Sequence, residues 1–71
     1  MTLDQMNQRF RVIEDMWKVG SADEQEEYLA ELTGMKLELA DITGADADSA
    51  MWLRRTMDRL SRNISVEQAR T

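Results

Sequence analysis

Apolar residues recur along this chain in steps of three and four. Leu3, Met6, Phe10, Ile13 and Trp17 form one set, Tyr28, Leu32, Met35, Leu39 and Ile42 a second, and Ala50, Leu53, Met57, Leu60 and Ile64 a third. Alternating steps of three and four average 3.5 residues, the period that keeps side chains on one stripe of an α-helix. The pattern predicts an all-α protein, either a small three-helix bundle or a helical hairpin with a third helix. Helices are expected over about 3–19, 22–43 and 47–63, with a tail over 64–71, all in one domain. Apart from Ala50, the stripe residues are the predicted core.

Local signals mark where these helices begin and end. Thr2 with Gln5, and Ser21 with Glu24, have the spacing of capping boxes, in which a hydroxyl accepts from the third helical amide. Gly20 is placed to close the first helix in the left-handed conformation, and the second helix is expected to stop at Gly44. Leu29-Ala-Glu-Leu-Thr-Gly34 is echoed ten residues later by Leu39-Ala-Asp-Ile-Thr-Gly44. Gly34 therefore marks a possible kink, and Met35 to Leu39 also reads as a short alternating strand. Such a strand would have no partner in this chain, so one helix through Gly34 is the expectation. Asp46 or Asp48 is suited to capping the third helix. That helix is expected to fray near Asn63, with Ser65 and Gln68 able to start one further turn.

Apolar residues also occur off the stripes. Val12, Met16 and Val19 make a second ladder on helix one; Ala30, Thr33, Leu37 and Ala40 make one on helix two, beside Gly34; Met51 and Trp52 add a third patch. A three-helix core needs one stripe per helix, so surplus patches point to association. Val12 and Met16 are equally well explained as a widened core stripe, and Met16 is carried in both readings. Leu37, Met51 and Trp52 are read as interface, because tryptophan is a frequent interface anchor and the thioether of methionine suits adaptable contacts.

Composition narrows the chemistry. Seventy-one residues bury little surface for each residue they order, and with neither cysteine nor histidine there is no disulfide or imidazole–thiolate metal site to staple the fold. Burial against a second chain is the remaining remedy, so a homo-oligomer or a complex with another protein is expected. The same inventory removes cysteine and serine–histidine nucleophiles. The carboxylate pairs Glu14-Asp15 and Glu26-Glu27 fall on expected exposed faces, where no cleft raises a pKa. No glycine loop of phosphate-binding type occurs. The expectation is a protein that is not an enzyme and has no cofactor or metal. The beginning of the chain lacks the features of a secretory signal, and no apolar run approaches the roughly 20 residues that span a bilayer. A cytoplasmic protein without membrane contact follows as the default.

Charge is unevenly distributed. The net charge is −5; residues 1–20 are balanced, residues 21–48 carry −8 and residues 49–71 carry +3. Opposite charge on the second and third helices favours packing them together or stacking copies head to tail. The acids Asp23, Glu24, Glu26, Glu27 and Glu31 lack the alternate spacing of a calcium loop and suit a helix start with a solvated face. On helix three, Arg54, Arg55, Arg59 and Arg62 are the candidates for phosphate contact, and Trp52 lies one turn before Arg55 and two before Arg59 on the same flank. The negative total makes nucleic acid the weaker expectation.

In this composition the chain resembles the small helical regulators, secretion chaperones and scaffolds of bacteria and phages, a likeness of class and not of motif. The leading expectation is an adaptor, anti-activator or inhibitor that covers a partner's working surface. Its expected partner-binding residues are Met51, Trp52, Arg55, Arg59, Leu37 and Met16. The alternatives are an assembly subunit of a phage particle or secretion apparatus, and an RNA- or DNA-binding protein using helix three.

Overall fold

A computed structural model describes residues 1–70, and every regular element in it is helical. Helix α1 covers Leu3–Met16, α2 covers Ala22–Ala40 and α3 covers Ala47–Arg70. Short 3₁₀ turns, Trp17–Val19 and Gly44–Asp46, lead into the two joints. The fold is all-α.

Both capping boxes form. The Thr2 hydroxyl accepts from the Gln5 amide at 3.1 Å while the Gln5 side chain accepts from the Thr2 amide at 2.9 Å. Ser21 and Glu24 repeat the arrangement at the start of α2. Each box satisfies two amides that a helix start otherwise leaves unpaired.

The helix ends differ from the sequence expectation. Helix α1 stops at Met16 and tightens into the 3₁₀ turn, and Gly20 is extended (φ −79°, ψ 156°) instead of left-handed. Ser21 caps α2 immediately afterwards, and a capping residue must be entered from extended backbone. The joint is held by Gln25, whose side-chain amide donates to the Trp17 carbonyl at 3.0 Å and lies 3.5 Å from that of Gly20. Helix α2 runs unbroken past Gly34 but ends at Ala40, three residues short of Thr43. Its last turn is drawn in by amides of Asp41 and Ile42 donating three residues back. Ile42 turns inward against the core, and Gly44 takes φ 80° to redirect the chain. Asp46 closes the second 3₁₀ turn, and Asp48 lies in the first turn of α3, where a carboxylate complements the helix dipole.

The largest departure is the length of α3, which passes Asn63 without fraying and continues to Arg70 in place of the expected tail over 64–71. Thr71 lies outside the described residues. Ile64 is fully buried, and Trp17 and Lys18 share a surface hollow with Asn63, Val66, Glu67 and Arg70. The last turns of α3 therefore have a neighbour to pack on.

Ion pairs fix the helix directions. The Met1 amino group lies 3.3 Å from Glu38, and Arg9 grips Glu31 through two bonds of 2.6 and 2.7 Å. Ascending α1 thus meets descending α2. Lys36 reaches Asp58 at 3.4 Å, linking α2 to α3, which pack closely along their length. One core joins all three: Met6, Phe10, Ile13 and Trp17 from α1 and its following turn; Leu32, Met35 and Leu39 from α2; Ala50, Met57, Leu60 and Ile64 from α3. Leu3, Tyr28, Ile42 and Leu53 pack around it half-buried, as does Leu29, which lies off the apolar stripe.

Candidate functional site

An open groove of about 690 Å³ runs between α1 and α3. Its floor contains buried Phe10 with half-buried Leu3 and Leu53, which the apolar stripes turn toward each other. Asp4, Asn7, Arg11, Glu14 and Asp15 line the α1 side, and Ser49, Trp52 and Thr56 line the α3 side. The Thr56 hydroxyl donates to the Trp52 carbonyl at 2.9 Å, one turn back, and is thereby held within its own helix. Trp52 itself is 67% exposed. An indole so open keeps about two-thirds of its surface in water, on the side chain with the largest apolar area to offer.

Arg55 and Arg59 follow Trp52 by three and seven residues, so all three share one face of α3. Both arginines are exposed, and among the described residues neither has an ion pair or hydrogen bond. Several other cations are engaged, although Arg11 and Arg54 are as unpaired as these two among the described residues. Arg9 holds Glu31 and lies 6.0 Å over the Tyr28 ring; Lys36 and Arg62 share Asp58; Lys18 lies 5.7 Å over the Trp17 ring. These pairs shift the groups involved. The hydrogen bond from Arg9 holds the Glu31 carboxyl below its usual value and raises the Arg9 guanidinium. Hydrogen bonds from Lys36 and Arg62 hold Asp58 below the usual range.

The six expected partner-binding residues do not form one patch. Trp52 alone lines the groove. Arg55 and Arg59 continue along α3 from it, and Met51, 47% exposed, lies one turn before Arg55 on the same side of the helix. Leu37, 68% exposed, stands on α2, and Met16, half-exposed, on α1. The groove contributes residues that the apolar pattern did not single out, namely Asp4, Asn7, Arg11, Ser49 and Thr56. Each is polar and sits beside a stripe instead of on it, so the available signal was its position next to Leu3, Met6, Phe10, Ala50 or Met57.

Among the described residues no cluster of acidic side chains is arranged to hold a metal ion, and no helix is long and apolar enough to cross a membrane. The groove offers no buried titratable group. It combines an exposed indole, an apolar floor and polar walls. The chain matches no protein-family model, and no curated protein or solved structure is similar to it.

Proposed function

We propose that this chain is a non-enzymatic helical protein that acts by binding another protein through α3 and the groove beside it, as an adaptor, anti-activator or inhibitor. The observation that carries this reading is Trp52, which stays 67% exposed in a fold that buries its other tryptophan to 6%. Leaving an indole in water forgoes roughly 2 kcal/mol or more of burial, and a partner surface is the simplest recipient. Arg55 and Arg59 then set orientation by charge, contributing more to encounter and specificity than to raw affinity. The mechanism is occlusion: a rigid helix face covers a working surface of the partner.

The first test is retention of a specific polypeptide from the source cells by immobilised protein, with Trp52→Ala alongside. Loss of that polypeptide with unchanged far-ultraviolet circular dichroism supports the reading. Equal retention by the variant would falsify it. Because Trp52 lies outside the core, the variant is expected to unfold within about 0.5 kcal/mol of the parent.

A second reading, an assembly subunit of a larger particle, is favoured by one separate observation. Among the described residues, the acids Asp23, Glu26 and Glu27 on α2 are as free of intramolecular partners as Arg55 and Arg59 on α3. Two unpaired faces of opposite sign on one chain suit contacts between copies.

A further inference from the structure

We infer that the exposed face of α3 docks a second copy of this chain, taking the outer face of the neighbour's α2 in a head-to-tail contact. The inference deepens the reading of α3 as a docking surface and rests on it.

Helix geometry defines the two faces. At about 100° per residue, Trp52, Arg55 and Arg59 lie on the side of α3 opposite buried Met57, Leu60 and Ile64. Val66, 53% exposed, continues the same face seven residues beyond Arg59. On α2, Asp23, Glu26, Ala30, Gly34 and Leu37 lie opposite buried Leu32, Met35 and Leu39, and all five are exposed. A Cβ placed on Gly34 would meet nothing within 4 Å, so the shallow stretch from Ala30 to Gly34 is open to a bulky side chain. One face is aromatic with cations beyond it. The other is small and apolar with carboxylates beyond it.

Spacing selects the direction of the contact. Trp52 and Arg59 are seven residues apart, as are Gly34 and Glu27; seven residues rise about 10.5 Å along a helix. With the helices antiparallel and the indole over Gly34, Arg59 arrives beside Glu27 and Glu26, and Arg55 is within side-chain reach of Glu26. Asp23 lies one further turn along, level with Arg62. A parallel arrangement with the same indole placement brings Arg59 to Asp41 and Arg55 beside Glu38, a carboxylate the Met1 amino group already holds, so it meets fewer free acids. Charge complementarity therefore favours the antiparallel register. Because the two faces are on different helices, each contact leaves a free face at either end, and copies add in succession.

Charge exchange provides the test, since among the described residues neither set has an intramolecular partner to lose. Arg55→Glu/Arg59→Glu and Glu26→Lys/Glu27→Lys are each expected to stay folded by circular dichroism and to sediment as single copies. The parent chain is expected to form species that grow with concentration at low salt and dissolve at high salt, with a Debye length falling from about 30 Å to 3 Å between 0.01 and 1 M. An equimolar mixture of the two exchanged variants is expected to recover assembly. A parent chain that remains a single copy at low salt and high concentration overturns the inference, and a Trp52-dependent protein partner would then leave the docking face itself standing. Variants that assemble like the parent, or a mixture that fails to assemble, also overturn it.

Discussion

Glycine has opposite meanings at its two most exposed positions. Gly34 sits inside α2 with open space where a side chain would go, whereas Gly44 holds φ 80° at the joint into α3. In a helix interior glycine is about 0.5–1 kcal/mol less favourable than alanine. Gly34→Ala should therefore raise the unfolding free energy of dilute protein by about that amount. Gly44→Ala places a Cβ in left-handed backbone and should cost roughly 1–2 kcal/mol. Denaturant titration of the two variants reads both signs at once. The sequence already told them apart, with one helix passing through Gly34 and stopping at Gly44; the structure keeps the continuity and moves the end to Ala40. Gly34 follows Thr33, whose hydroxyl donates to the Leu29 carbonyl and stays within the helix; Gly44 follows a turn already closed by Asp41 and Ile42.

At the scale of the elements, α3 outlasts its expected end because tertiary packing outweighs local signal. Asn63 and Ser65 are indifferent helix formers, and from propensity alone the helix could stop there. Ile64 lies between them, wholly buried in the shared core. Ile64→Ala should cost about 2–5 kcal/mol, as large-to-small core substitutions do, and should speed amide exchange along the last turns of α3. Protected amides from Ser65 to Arg70 that persist in that variant would refute the dependence. The apolar periodicity made the three helices and their buried stripes readable, since a stripe of period 3.5 has one physical interpretation. It could not supply the ends, which depend on which neighbour a side chain meets: Gln25 reaching back to Trp17, Ile42 folding inward, Trp17 beside the final turns of α3. The groove was legible only in part. Trp52 stood out as a large apolar residue off its stripe, but the polar wall of α1 carries no pattern of its own.

For the molecule as a whole, acid sensitivity follows from the two perturbed carboxyls. Glu31 and Asp58 titrate lower in the folded state than in the open chain. The folded state therefore releases their protons more readily, so the stabilisation is complete above about pH 5 and is lost as the pH falls below about 4. Both groups are substantially exposed, so the loss should be gradual and weaker in high salt. Melting temperatures between pH 7 and pH 2.5 should be flat at first and then decline; a maximum near pH 4 would contradict the assignment. The segregation of α2 acids from α3 arginines has one more outcome. The molecule is a transverse electric dipole as well as a net anion. It should orient at charged interfaces, and at low ionic strength resins of either sign should retain it, the cation exchanger gripping the arginine side despite an isoelectric point near 4.5.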